Sequence, residues 1–95
     1  MLFTFSQATY SSAELESYLL GASEQDCLVL WQDGVLLPLK YPNIFNRLTT
    51  TCYALENDLQ ARNLTEFTRS FAKVRSISFT ELVTLTERYT PQMAL

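Results

Sequence analysis

The run Cys27-Leu28-Val29-Leu30-Trp31-Gln32-Asp33-Gly34-Val35 decides the fold of this chain. Residues Cys27–Gln32 show no polar alternation before Gln32, which is typical of a parallel strand covered on both faces. The run ends in Asp33-Gly34, a dipeptide that favours a sharp turn. In α/β proteins, the loops at the carboxyl ends of parallel strands form the working surface. We therefore predict a buried strand whose following turn lies at the functional edge.

Further strands and helices alternate along the rest of the chain. β-Branched, aromatic and other apolar runs predict strands over Leu2–Phe5, Thr49–Leu55 and Val74–Phe79. Helical patterns separate these strands, and Ser11 with Glu14 and Ser78 with Glu81 fit capping boxes. Strictly alternating strands and helices indicate parallel pairing with helices on both faces. The sequence thus predicts an α/β fold in three α/β/α layers, with a small, mostly parallel central sheet of four to five strands.

Glycine, proline and asparagine mark the predicted helix ends. Gly21 should stop the first helix in a left-handed conformation, and Asn63 should do the same after the predicted helix Glu56–Arg62. Pro38 and Pro42 fit the first turns of helices, where no intrahelical N–H is needed. Apolar residues at Leu64, Phe67 and Phe71 predict a further helical face, and Leu82 to Tyr89 a last helix before Pro91. The tail Gln92–Leu95 is expected to fray.

Composition limits the classes of function. The chain has 95 residues, enough for one domain over 1–95, and a net charge of −3 that does not suit direct nucleic-acid binding. Hydrophobic residues make up 47% and charged residues 18%, so some apolar surface should be left for a partner protein to cover. No segment is long and apolar enough to span a membrane, and Met1–Phe5 lacks the basic start of a secretion signal. We therefore expect a cytoplasmic location and no membrane contact.

The chain lacks the residues that most catalytic mechanisms need. There is no histidine, which removes the commonest general base and metal ligand. Only Gly21 and Gly34 are glycines, so no glycine-rich phosphate loop can exist. The acidic pairs Glu14/Glu16 and Glu56/Asp58 are typical of solvated or helix-dipole charges. We predict no metal site, no cofactor and no catalytic residue.

The two cysteines are the remaining candidates for chemistry. Cys27 and Cys52 each lie inside a strand-like run, where a thiol is usually a buried, reduced, small apolar group. A reactive thiol needs an exposed, electropositive setting such as a helix N-terminus. We predict two buried thiols and keep a sulfur-carrying role for either of them as the alternative.

Four motifs in order resemble the TusB/DsrH family of the wider DsrE/F/H-like group. Met1–Thr4 resembles the family's M-L-x-T opening, and Leu28–Val35 its apolar strand ending in (Q/E)-D-G-V. Tyr53–Leu64 is similar to Y-A-L-x-x-D-L-x-A-R-G-L, and Ser78–Thr86 to D-Y-x-x-F-V-x-L-T. The likeness spans the whole chain, and four motifs at the right spacing are much more specific than one. The departures are Phe3, where relatives often have histidine, and Asn63 in place of glycine.

The resemblance implies a subunit of a sulfur-relay complex. Such complexes are dimers of heterotrimers of TusB-, TusC- and TusD-like chains, which pass persulfide sulfur from TusA to TusE for 2-thiolation of the tRNA wobble uridine. The TusD-like subunit carries the working cysteine just after its third strand, and the matching place here is Leu55–Glu56, which has no thiol. Some DsrH members carry a cysteine in the first helix, where this chain has Tyr18. The resemblance therefore favours a non-catalytic, partner-docking subunit over an enzyme.

The predicted partner interface surrounds the turn after the second strand. It contains Trp31, Gln32, Asp33, Leu36, Leu37 and Leu39, with core packing as the alternative role for Trp31. Three other functions stay open. They are a sulfurtransferase subunit carrying persulfide on Cys27 or Cys52, a DsrEFH-type subunit in sulfur oxidation, and an unrelated binding module. Strand order and the surface facing each subunit do not follow from the sequence.

Overall fold

The computed structural model describes all 95 residues, Met1–Leu95, and a five-stranded sheet lies at its centre. The strands are β1 (Leu2–Phe5), β2 (Cys27–Leu30), β3 (Cys52–Leu55), β4 (Val74–Ile77) and β5 (Gln92–Ala94). Their order across the sheet is β4-β3-β2-β1-β5, and every neighbouring pair is parallel. The strand predicted to be buried on both faces, β2, is the middle one, and all four of its residues are buried.

Six α-helices and one 3₁₀ helix connect the strands. They are α1 (Ser12–Leu20), the 3₁₀ helix Gln32–Leu36, α2 (Leu37–Lys40), α3 (Pro42–Asn46), α4 (Glu56–Ala61), α5 (Thr65–Thr68) and α6 (Phe79–Arg88). Only α1 and α6 exceed two turns. The short helices α2 to α5 gain their stability from packing on the sheet, since helices of this length are unstable alone.

The strand order divides the helices between the two faces of the sheet. The chain steps in one direction from β1 to β4 and then returns to place β5 beside β1. Right-handed crossovers put the helices of the outward steps on one face and α6, the only helix of the return step, on the other. Two core clusters match these faces: 16 buried residues that include Phe5, Leu15 and Phe45, and 6 that include Val29 and Leu82. The predicted three-layer α/β/α architecture is confirmed.

Local sequence patterns identified most helix ends. Ser11 Oγ accepts a hydrogen bond from Glu14 N–H at 3.2 Å, and Ser78 Oγ from Glu81 N–H at 3.1 Å, so both capping boxes are present. Asn63 adopts the left-handed conformation with φ of 55°. These features depend only on residues a few positions apart, which explains why the sequence predicted them correctly.

The predicted conformation of Gly21 was wrong. Its φ is −85°, an ordinary right-handed value. A Cβ atom at this position would lie 2.6 Å from the carbonyl oxygen of Ser17, one turn earlier in α1. Glycine is therefore required by close backbone approach and not by a left-handed turn.

The tail does not fray. Residues Gln92–Ala94 form β5, and the ladder is closed by Leu2 N–H to Pro91 O at 3.0 Å and Leu95 N–H to Thr4 O at 2.9 Å. The Tyr10 hydroxyl donates to the Leu95 carbonyl oxygen and holds the end of the chain. The prediction failed because three exposed residues carry no strand pattern, and only pairing with β1 orders them.

Several predicted elements are shorter in the structure. The second strand stops at Leu30, because Gln32 turns into the left-handed region with φ of 52°. The fourth strand stops at Ile77, because Ser78 caps α6. The helix predicted around Phe67 has only four residues.

Candidate docking edge

The turn after β2 lies at the carboxyl edge of the sheet, as predicted. Trp31 is extended, Gln32 has a φ of 52°, and the chain then enters the 3₁₀ helix. Gly34 permits this path, because a Cβ atom there would lie 1.9 Å from the carbonyl oxygen of Phe5. Phe5 is the last residue of β1, so the turn folds tightly over the end of the neighbouring strand.

Helix α4 braces this turn from the side of β3. Asp58 Oδ2 accepts a hydrogen bond from the backbone N–H of Gln32 at 2.6 Å. Arg62 Nη2 donates to Asp33 Oδ1 at 2.8 Å, and its Nη1 donates to the backbone oxygen of Asp58 at 3.1 Å. The carboxylate of Asp58 and the guanidinium of Arg62 also lie 3.8 Å apart. The four residues form what we call the clamp: Gln32, Asp33, Asp58 and Arg62.

Sequence reasoning missed the clamp. Asp58 was interpreted only as a solvated or helix-dipole charge, and Arg62 only as the end of the predicted helix Glu56–Arg62. Their partners lie 26 and 29 residues away in sequence. The order of the elements did offer one indication of the clamp. Consecutive parallel strands are often neighbours in the sheet, so the segments that follow β2 and β3 are expected to lie close together.

The apolar residues of the predicted interface have different environments. Leu39 on α2 is 52% exposed, and Leu36 is partly buried. Leu37 is fully buried in the larger core cluster, so its side chain is not available to a partner, and we remove it from the interface. The difference follows from the helical turn, which points neighbouring side chains in different directions.

Helix α2 belongs to the same edge as the turn. Lys40 Nζ donates to the carbonyl oxygen of Ala8 at 2.9 Å, and the Tyr41 hydroxyl donates to the carbonyl oxygen of Tyr10 at 2.8 Å. Ala8 and Tyr10 lie in the loop after β1. These contacts hold the end of α2 against the loop after β1, at the same edge of the sheet. We call Trp31, Gln32, Asp33, Leu36 and Leu39 the docking edge; Gln32, Asp33 and Leu39 are exposed, and Trp31 and Leu36 are partly buried.

The surroundings of Trp31 fit both roles considered for it, core packing and partner contact. Its ring packs against the smaller core cluster, yet part of it remains exposed. The indole N–H is buried without a hydrogen-bond partner in the chain. An unpaired buried donor costs about 1–3 kcal/mol, so this side chain is not an ideally satisfied core residue. Trp31 also lines an open groove of about 340 Å³ between α6 and the strands β1 and β5.

Both thiols lie away from the docking edge. Cys27 and Cys52 are the first residues of β2 and β3, so they occupy the amino edge of the sheet. Both are reduced and buried, at 2% and 0% exposure. Cys27 belongs to the cluster under α6 and Cys52 to the cluster on the opposite face. A disulfide between them would have to pass through the sheet, which excludes it.

Burial makes both thiols weak nucleophiles. Removal from water raises the pKa of Cys27 to about 11, although the chain's terminal ammonium opposes the shift. Burial, and secondarily Cys27, raises the pKa of Cys52 even further above its ordinary value. Since the thiolate is the reactive form, neither side chain is activated at neutral pH.

The structure contains no group of three histidine, cysteine, aspartate or glutamate side chains that could hold a metal ion. It also contains no helix with the length and apolar character needed to cross a membrane. The docking edge itself carries no cysteine, and its only carboxylate, on Asp33, is paired with Arg62.

The fold and this edge define a small, parallel α/β domain in which a neighbouring helix holds the turn after the central strand. Comparison with known proteins gives its family. The family model described as "DsrH like protein" matches residues 7–92. The chain belongs to this DsrH-like family.

Individual relatives cover the full chain. An uncharacterised protein of Haemophilus influenzae is 47% identical over 95 residues, with 100% of each chain covered. Protein TusB of Pectobacterium carotovorum subsp. carotovorum is 39% identical over 97 residues, with 99% of each chain covered. Protein TusB of Cronobacter sakazakii is 32% identical, with the same coverage. The resemblance to TusB/DsrH is thereby confirmed.

Proposed function

We propose that this chain is a non-catalytic subunit of a TusBCD-type sulfur-relay complex. The observation that carries the proposal is its similarity to curated TusB proteins, which extends over 99% of both chains. A match over nearly the full length of both chains favours the same kind of subunit. The role of the chain is to dock partner subunits and not to carry sulfur.

The positions of the thiols support a role without covalent sulfur transfer. A persulfide carrier needs a thiolate that two partner proteins can reach in turn. Cys27 and Cys52 are buried at the amino edge, while the docking edge lies at the other end of the strands. The raised pKa of both thiols further reduces the thiolate fraction.

The finer parts of the proposal concern partners and pathway. The direct partners are TusC-like and TusD-like subunits in a dimer of heterotrimers, and TusA and TusE are indirect partners. The sulfur supports 2-thiolation of the tRNA wobble uridine in the cytoplasm. No direct contact with tRNA is proposed, which agrees with the net charge of −3.

Co-expression tests the assembly. The chain is produced with the TusC-like and TusD-like chains of the same organism, and the mixture is examined by size-exclusion chromatography with light scattering. We expect a single complex containing all three chains. A chain that stays monomeric and binds neither partner would contradict the proposal.

The docking edge is tested within that complex. Leu39→Glu introduces a charge at a side chain that is 52% exposed, and should weaken assembly about tenfold or more. Phe67→Glu is the matched control, since Phe67 is 37% exposed on α5, outside the docking edge. Thermal unfolding of each free variant checks that the fold is retained. Equal effects of the two substitutions would argue against the docking edge.

Mass spectrometry separates this function from a sulfur-carrying one. The purified complex is incubated with a persulfide donor protein, and each subunit is then weighed intact. We expect added sulfur on the TusD-like chain and none on this one. Persulfide on Cys27 or Cys52 would instead favour a sulfurtransferase subunit.

Deletion of the gene tests the pathway. Loss of this chain should lower the 2-thiouridine content of the wobble position in total tRNA, and a variant with both cysteines replaced by alanine should restore it. Normal thiolation in the deletion strain would point to another sulfur pathway, such as sulfur oxidation.

A further inference from the structure

One helix covers the second face of the sheet. The five strands are separated by about 4.8 Å each, so the outer two are roughly 19 Å apart. Helix α6 is about 10 Å across with its side chains and cannot cover that width. Leu82 is the only buried residue of α6. The flank beside β1 and β5 is therefore left open.

This flank contains the groove that Trp31 lines. Its volume is about 340 Å³, and its surface is mainly apolar. The lining residues are Thr4, Val29, Trp31, Phe79, Leu82, Val83, Thr86, Gln92 and Ala94. None of them is charged, so the groove does not select for an ionic ligand. Through Trp31, the groove is continuous with the docking edge.

The outer wall of the groove is an edge strand, paired on one side only. β5 is the last strand on its side of the sheet, and all three of its residues are exposed. Pro91 O and Leu95 N–H form hydrogen bonds with β1. Successive residues of a parallel strand direct their backbone N–H and C=O groups to opposite sides, so those of Gln92 and Ala94 point away from β1. These N–H and C=O groups form a free hydrogen-bonding edge.

The exposed apolar area indicates the size of the occupant. Phe79 is 60% exposed and Val83 is 40% exposed. Because an aromatic side chain has roughly 150–250 Å² of surface, the two residues leave on the order of 200 Å² of apolar surface uncovered. A stable interface between folded partners needs about 800 Å² on each side. The groove thus fits a short segment and is too small to hold a second copy of this chain by itself.

We propose that an extended, uncharged and mainly apolar segment of a partner subunit binds along β5 as a sixth strand. Its backbone bonds to the outward groups of Gln92 and Ala94, and one of its side chains fills the groove. Side chains alternate along a strand, so the next residue of the segment meets Met93, which is 43% exposed. The inference rests on the proposed function, because it needs a partner chain.

Amide hydrogen exchange in the assembled complex tests strand addition. The chain is labelled with ¹⁵N, assembled with unlabelled TusC-like and TusD-like chains, and compared with the free chain. Exchange at Gln92 and Ala94 should slow at least about tenfold on assembly, because their N–H groups gain acceptors. Unchanged exchange at both positions would overturn the inference.

Two substitutions test the same site by affinity. Ala94→Pro removes an outward N–H that β1 does not use, and Val83→Glu places a charge beside the groove. Each should weaken assembly by about tenfold or more. Thr84→Glu puts the same charge on the opposite flank of α6 and is the control, which should stay within about twofold.

The outcomes distinguish the two proposals. If the wild-type complex forms and all three variants assemble equally well, the strand addition is wrong and the proposed function stands. If the wild-type chain forms no complex, the proposed function fails, and this inference fails with it. Loss of assembly with Thr84→Glu alone, or dimerisation of the free chain through β5, would also overturn it. If Ala94→Pro unfolds, Val83→Glu and the exchange measurement decide.

Discussion

The carboxylate of Asp58 accepts a hydrogen bond from the backbone N–H of Gln32 at 2.6 Å and joins α4 to the end of the central strand. Gln32 is one of two non-glycine residues with positive φ, so its N–H is oriented by a turn that the chain would otherwise avoid. Arg62 extends the contact to Asp33. The docking edge is therefore held in one conformation before any partner arrives, which lowers the entropic cost of binding.

Removal of the Asp58 carboxylate should destabilise the fold. A hydrogen bond to a charged group contributes about 1.5–3 kcal/mol, and partial exposure reduces this, so Asp58→Ala should lower the free energy of unfolding by about 1–2 kcal/mol. Urea unfolding followed by circular dichroism measures the change. Glu56→Ala is the matched control, because Glu56 is also acidic and in the first turn of α4 but makes no contact with Gln32. Equal losses for the two variants would contradict the role of the clamp.

Replacement of Gly34 should be more damaging. A Cβ atom would lie 1.9 Å from the backbone oxygen of Phe5, and a backbone atom of a buried strand cannot move aside cheaply. We expect Gly34→Ala to lower the free energy of unfolding by about 3 kcal/mol or more. Thermal unfolding of the purified variant provides the measurement. A melting temperature close to that of the wild type would show that the turn can relax.

The thiols should resist alkylation in the folded protein. Both are buried and protonated, so iodoacetamide at pH 8 should modify them at least about a hundredfold more slowly than in the urea-unfolded chain. Mass spectrometry at timed intervals gives both rates. Rapid labelling of native Cys27 would show that the amino edge opens, and would favour the sulfur-carrying alternative.

Alkaline pH should destabilise the protein through these thiols. The unfolded chain releases a thiol proton near pH 9, whereas folded Cys27 keeps its proton to about pH 11, so the folded state binds more protons between these values. The free energy of unfolding is therefore unaffected by this thiol below pH 9 and falls as the pH rises from 9 towards 11. Burial also raises the pKa of Tyr10, whose contribution has the same sign. Urea unfolding at several pH values should show a shallower decline when both cysteines are replaced by alanine.

Much of the secondary structure could be predicted from neighbouring residues. Ser11, Ser78, Asn63 and Pro38 each act on the backbone within a few positions, and each lies where its sequence context indicated. The apolar run before Trp31 likewise identified the central strand, because full burial on both faces leaves no polar alternation. Sequence patterns predict a structural feature correctly where the physical cause of that feature also lies in neighbouring residues.

The candidate site was only partly predictable. Trp31, Gln32, Asp33 and Leu39 were located from the turn and the apolar run that follows it. The burial of Leu37 was not, because a four-residue helix gives too little periodicity to orient its faces. Asp58 and Arg62 were also missed, since their contacts cross more than 25 residues of sequence.

The sequence by itself determined the α/β class, the family and the turn at the end of the central strand. Only the tertiary structure decided the strand order, the pairing of β5 with β1 and the open flank beside α6. The physical reason is the range of the interactions. Capping, turns and strand burial are encoded in adjacent residues. The position of β5 depends instead on backbone hydrogen bonds between the two ends of the chain. Side chains of many types allow such bonds, so the sequence of β5 does not specify its position.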